Sequence, residues 1–173
     1  MKNRANLIWA ILGEGGLVLA LGAIGWATKQ PLIFASLGPT AYELTEQPQM
    51  PSARPYNIIV GHLIGLGAGF LAIYLLNAWA APNVLATGIV SPQRVWAHGH
   101  IGCAHRLCIP PSKKARQPAA LATTLLVSLG AMQTRRDAIA IIVGVLLVTA
   151  MGEPLRRLRL KRTGTSPLGT AWH

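Results

Sequence analysis

NIIVGHLIGLGAGFLAIYLLNAW, residues 57–79, lies inside the longest charge-free run of the chain, 55–93. A helix that crosses lipid needs about 20 mostly apolar residues, and one ionised group inside it is costly. This stretch is long enough to cross with some tilt, and Tyr74 and Trp79 stand near its end as interfacial anchors. It decides the fold class, an all-α polytopic helical membrane protein. Gly61, Gly65 and Gly69 recur every fourth position on one helix face, which lets a second backbone approach closely and gain van der Waals contact.

The composition agrees. Of 173 residues 51% are hydrophobic, and only 12% carry charge, against roughly 25% in a soluble domain. The mean hydropathy is +0.41. Sixteen Lys and Arg stand against five acids, yet aromatics are few and the bases are clustered, so a nucleic-acid partner is not expected and the lipid bilayer is. Two cysteines do not make a disulfide scaffold, and the apolar content excludes disorder. The length allows one transmembrane domain, 1–162, with a cytoplasmic tail, 163–173.

Four further stretches fill in the spans. LIWAILGEGGLVLALGAIGW, 7–26, is a second crossing whose only charge is Glu14. Lys2 and Arg4 precede it in the manner of a signal peptide, but Glu14 interrupts the apolar core that a signal peptide needs. PLIFASLGPTAY, 31–42, would be about 18 Å long as a helix and PAALATTLLVSLGAM, 118–132, about 22 Å, so neither crosses comfortably alone. AIAIIVGVLLVTAMG, 138–152, is short but runs on towards RRLRLKR, 156–162, five bases in seven residues. By the positive-inside rule this basic run and Lys2 with Arg4 place both termini in the cytoplasm. Two cytoplasmic ends require an even number of crossings, whereas these stretches number five. One crossing is missing, unless a short segment is re-entrant.

The segment AHGHIGCAHRLCIPPSKKAR, 97–116, has the length of a membrane helix and a contrary composition. His98, His100, Cys103, His105 and Cys108 are types that hold zinc or copper, but they crowd together without the two separated pairs of a structural zinc site. Parity favours another reading, in which a sixth helix belongs here and a compensated pair of frameshifts replaces it. Translating the same nucleotides in a neighbouring frame should then give an apolar helix of about 20 residues. Stop codons or polar text in both other frames would remove that reading.

An internal comparison suggests a repeat. Ile58 to Leu63 (IIVGHL) resembles Ile141 to Leu146 (IIVGVL), and a Ser-Leu-Gly precedes each, at 36–38 and 128–130. If the halves are variations on one unit, two short, Gly/Pro-interrupted segments occupy corresponding positions, a pointer to a binding site near the membrane midplane.

The five acids, Glu14, Glu43, Glu46, Asp137 and Glu153, form no catalytic pattern, and neither Gly-x-Ser-x-Gly nor a phosphate loop occurs. The chain is read as a non-enzyme, with no cofactor and no metal. The polar groups at membrane depth or at its edge are Glu14, Ser36, Thr40, His62, Gln117, Thr123, Thr124 and Ser128. Glu14 must be protonated, paired or facing water, which makes it a functional candidate. His62 can bridge helices or relay protons. Gly38-Pro39 breaks helical hydrogen bonding within an apolar run, and freed backbone groups there must find protein, water or a ligand. Arg54, just before the long span, can attract an anion.

FASLGPTAYELTEQPQMPSARPYNIIVGHLIG, 34–65, resembles the HPP family of integral membrane proteins, with its Ser-Leu-Gly-Pro segment, Pro-rich loop with a basic residue, and Asn and Gly-His opening a helix. The likeness continues through 118–155 and covers about 7–96 and 117–162. The naming motif, His-Pro-Pro-Ala, aligns with Gln117-Pro118-Ala119-Ala120 and keeps only the first proline and the alanine. The helix expected just before it falls on 97–116. Plant relatives are associated with nitrite transport across the chloroplast envelope, so the resemblance implies a transporter of a small inorganic anion in a bacterial inner membrane. Carried over residue by residue, it singles out Ser36, Gly38, Pro39, Arg54, Asn57, His62 and Pro118, to which the polar-group reading adds Thr40. Glu14 or His62 would couple a proton. Glycine-lined faces in so short a chain predict a homo-oligomer. The rival reading is a non-transporting membrane scaffold, or a metal-binding membrane protein using the His/Cys segment.

Overall fold

The computed structural model describes residues 2–99 and 118–163. Seven α-helices and no strand are found among the described residues: α1 (Lys2–Thr28), α2 (Leu37–Glu46), α3 (Pro55–Leu75), α4 (Val84–Thr87), α5 (Pro92–Gly99), α6 (Pro118–Ser128) and α7 (Arg135–Thr163). Three of them, α1, α3 and α7, are long and apolar enough to cross a membrane. At 1.5 Å per residue α3 is about 31 Å long, whereas α2 and α6 reach only about half as far.

The expected helix over 31–42 is not formed as such. Lys29 takes a left-handed backbone, φ 52°, at the end of α1, and the N–H groups of Lys29 and Gln30 return to the carbonyls of Trp26 and Gly25. That is the paired closure usually given to glycine, and Pro31, which cannot continue a helix, follows it. An arm free of helix then doubles back along α1. It fits because three glycines make room: an added Cβ on Gly22 would meet Ile33 at 2.9 Å, one on Gly25 would meet the Gln30 carbonyl at 3.0 Å, and one on Gly144 of α7 would meet Phe34 at 2.8 Å. Non-helical backbone is tolerated at this depth only where protein covers it, and Leu32 and Phe34 are buried. Gly38 and Pro39 do not break a helix; they lie in the first turn of α2, where backbone N–H groups have no helical partner to lose.

The arm and α2 together make one crossing antiparallel to α1. Gly25 of α1 packs on Leu32 and Gly13 on Thr45, near the end of α2. Helix α7 runs parallel to α2, with Gly144 on Phe34 and Gly152 on Leu44. A 3-10 turn, Pro51–Ala53, leads into α3, which begins with Pro55 in its first turn. Helix α3 lies antiparallel to α7, and a groove there brings Pro55 beside Thr149, Glu153 and Arg157. Buried Leu21, Leu44, Ile58, Val127, Ile141 and Val148 join α1, α2, α3, α6 and α7 in one apolar core.

This arrangement revises the crossing count. α1, the arm with α2, α3, and α7 cross four times. Helix α6 is a half-depth helix that packs on the second half of α3, through Gly65 and Gly69, and hands over to α7 by a turn in which Gly130 has φ 87°. Residues 118–132 therefore do not make the fifth crossing; the segment 97–116, where a sixth helix was expected, lies outside the described residues from 100 onwards. The first and last helices meet at the same end of the bundle, where Arg159 and Arg162 of α7 lie 5.7 and 5.0 Å from the Trp9 ring centroid. Arg156, which donates to the Pro48 carbonyl at 2.9 Å, marks that basic end. At the other end Arg136 donates to the Lys29 carbonyl at 2.9 Å.

One helix limit and the internal match also change. The 57–79 span stops at Leu75, because Asn77 turns left-handed at φ 49°, and Trp79 folds back to stack on Phe70 at 5.9 Å. The two Ser-Leu-Gly copies stand in different places, Ser36 just before α2 and Ser128 at the end of α6, so that match does not extend to the structure.

Candidate functional site

His62 stands about 10 Å along α3, within one turn and a half of its middle, and is 2% exposed. Three elements deliver hydroxyls to it. Thr40 Oγ1 of α2 lies 3.0 Å from Nε2, and Thr123 Oγ1 of α6 lies 2.7 Å from Nδ1. Ser36 Oγ, from the residue before α2, lies 2.8 Å from Thr123 Oγ1. Ser36, Thr40 and Thr123 are fully buried.

The donors and acceptors can be assigned round this set. Thr40 donates its single proton to the Ser36 carbonyl, 2.9 Å away, so it accepts from His62 and the imidazole proton resides on Nε2. The neutral ring then offers Nδ1 as an acceptor to the Thr123 hydroxyl, and Thr123 Oγ1 accepts from Ser36. The bonds run one way round a closed ring that starts and ends on Ser36. Every polar atom in it is satisfied without water, which burial at this depth demands.

Close helix packing brings the ring together. A Cβ on Gly65 would meet the Ala120 carbonyl at 2.5 Å and Thr124 Oγ1 at 3.0 Å, and one on Gly69 would meet Val127 at 2.8 Å. The four-residue glycine spacing is therefore the seam on which α6 lies, and it carries Thr123 into reach of His62. Thr124 donates to the Ala120 carbonyl at 3.3 Å and Ser128 to the Leu125 carbonyl at 2.9 Å, so both serve α6 itself. One face of His62 also borders a 160 Å³ apolar cavity between α3 and α7, lined by Ile59, Leu66, Ile141 and Val145 among others.

The other expected site residues lie apart from the ring. Arg54 is exposed at the start of α3, about 12 Å from His62 along the helix, and not beside Gly38-Pro39. Asn57 is buried and donates to the Pro51 carbonyl at 2.6 Å, tying the 3-10 turn to α3. Gly38 faces open space, Pro39 is exposed, and Pro118 is exposed as the first residue of α6. Glu14 is half-buried next to Gly13, whose neighbour Thr45 lies about 7.5 Å beyond Thr40 along α2. His100, Cys103, His105, Cys108 and Gln117 are outside the described residues, as are all but the backbone of His98. Among the described residues no group of three His, Cys, Asp or Glu could hold a metal.

Arg94 has a role that its sequence setting does not announce. This α5 side chain is 1% exposed and donates to the Ser128 carbonyl at the end of α6, at 2.9 Å, and to the Ala81 carbonyl at 2.8 Å. Burial pushes its guanidinium down from the ordinary value, and the carbonyls and the negative end of α6 compensate. Gly130 must be glycine beneath it, since a Cβ there would lie 2.7 Å from the guanidinium. The signal in the sequence was a single base between otherwise charge-free stretches.

No curated protein and no solved structure matches the chain. A family model described as HPP, transmembrane region, matches residues 1–163. The chain, with its apolar helices and its buried Ser-Thr-His ring between them, is an integral membrane protein that belongs to the HPP transmembrane family.

Proposed function

We propose that this chain is a non-enzymatic transporter of a small inorganic anion, nitrite-like, in the bacterial inner membrane, with its basic end and both termini in the cytoplasm. One observation supports the reading: the N-terminal end of α2 and the middle of α6 meet near the middle of α3 in a ring of hydroxyls and an imidazole. A helix N-terminus carries a partial charge of about +0.5, and the start of α2 at this level favours an anion there. Ser36 immediately precedes α2, so that end is at the ring, whereas Thr123 is about 7.5 Å along α6 from Pro118.

The ring supplies what a passing anion requires. Hydroxyls rotate, so Ser36, Thr40 and Thr123 can turn from one another to an anion and back. A proton taken up at His62 Nδ1 would break the bond from Thr123, open the ring and add a positive charge beside the anion. That assigns proton coupling to His62 in preference to Glu14. Arg54, exposed at the basic end, raises the local anion concentration at one mouth. Gly15, Gly16 and Gly67, whose positions have nothing within 4 Å of an added Cβ, leave faces on which copies of this unit assemble as a homo-oligomer.

Nitrite uptake into proteoliposomes tests the proposal. Protein-dependent uptake that His62→Ala abolishes and Arg54→Ala slows, more at low salt than at high, is expected. Uptake no faster than in empty liposomes, or unchanged by both substitutions, removes it.

A further inference from the structure

Beside the basic end, α1 and α7 leave a groove of about 460 Å³ lined by Ile8, Trp9, Leu12, Gly13, Leu155 and Arg162. Its lower wall is apolar, and Ile8 and Leu12 are 57% and 70% exposed. Its upper rim is cationic: Arg162 and Arg159 flank the Trp9 ring at 5.0 and 5.7 Å. Arg162 is exposed at that rim, and nearby Glu153 holds Arg156 at 2.6 Å and Arg157 at 2.7 Å. Trp9 Nε1 is buried and has no hydrogen-bond acceptor among the described residues.

We infer that this groove binds an anionic phospholipid, its phosphate at Arg159 and Arg162 and one acyl chain along Ile8, Leu12 and Leu155. Three features select that occupant. The cations sit at one end of the helices, at headgroup level, while the apolar wall descends into the span, so the groove is charged where a lipid is charged and apolar where it is apolar. A tryptophan at this level presents an apolar ring to the start of an acyl chain. Two guanidinium groups held over one ring are preorganised, so a phosphate does not have to order them. The argument is independent of what the protein transports.

Native mass spectrometry of the full chain in detergent, titrated with phosphatidylglycerol, cardiolipin or phosphatidylcholine, tests it. One retained anionic lipid per chain is expected, with phosphatidylcholine displaced readily. Arg159→Gln with Arg162→Gln should weaken retention about thirtyfold, at roughly a factor of five per base. Arg136→Gln, at the opposite end, should not change it and serves as the control for an intact fold. In parallel, phosphatidylglycerol should shift the tryptophan emission of the full chain and should shift that of Trp9→Phe less. Equal retention of neutral and anionic lipids, or retention unaffected by the double substitution, overturns the inference. Displacement of the lipid by millimolar inorganic phosphate would make this a free-anion site and overturn it also.

Discussion

Replacing Thr123 by Val removes the one group that receives from Ser36 and donates to His62. Two buried partners are then left unsatisfied, and a cost of about 2–4 kcal/mol is expected. Thr123→Ser keeps the hydroxyl and should cost about 1 kcal/mol or less. Thermal unfolding of both variants in detergent measures the difference; equal losses would mean that the methyl, not the hydroxyl, matters. The direction of the ring makes a second prediction. Selective ¹⁵N labelling of histidine should show the His62 proton on Nε2 and a bare Nδ1, and the opposite tautomer would reverse the three side-chain bonds and turn the Thr40 proton from the Ser36 carbonyl to the ring. At this scale Ser36, Thr40 and His62 were legible as polar residues in apolar text. Which of the eight such residues meet was not, because contacts between residues 61 and 87 positions apart depend on how helices pack.

Helix packing explains the different standing of neighbouring glycines. Gly65 faces the α6 backbone, whereas Gly67 has nothing within 4 Å of an added Cβ. Gly65→Ala must push α3 and α6 apart and should cost about 1–3 kcal/mol, while Gly67→Ala should be neutral within about 0.5 kcal/mol. Unfolding midpoints of the two variants check this, and similar behaviour would mean that the seam is not where α6 lies. Arg94→Met leaves the carbonyls of Ser128 and Ala81 without their donor, and a loss of about 2–4 kcal/mol is expected in the same measurement. The existence of α1, α3 and α7 could be read directly, because a long apolar run has few alternatives in lipid. The arm before α2 could not. A helix and an extended segment over 29–36 are equally apolar, and only Gly22, Gly25 and Gly144 on other helices make the extended one fit.

At the largest scale, four crossings among the described residues put the start of α1 and the end of α7 together. Reporter tags before Lys2 and after Thr163 should be reached by an impermeant reagent from the same side of the membrane. Labelling from opposite sides would mean an odd number of crossings. Charge-free length sufficed to make this an α-helical membrane protein, because a long apolar run must satisfy its own backbone in lipid whichever helices surround it. Family membership was likewise legible, carried by the 34–65 motif and its order relative to 118–155. Depth was not. That α6 lies along only the second half of α3, that the arm replaces a helix, and that Ser36, Thr40, His62 and Thr123 close one ring were decided by tertiary packing. The physical reason is that hydropathy reports how much surface prefers lipid, whereas depth and contact follow from which small residues let two backbones approach within a few ångströms.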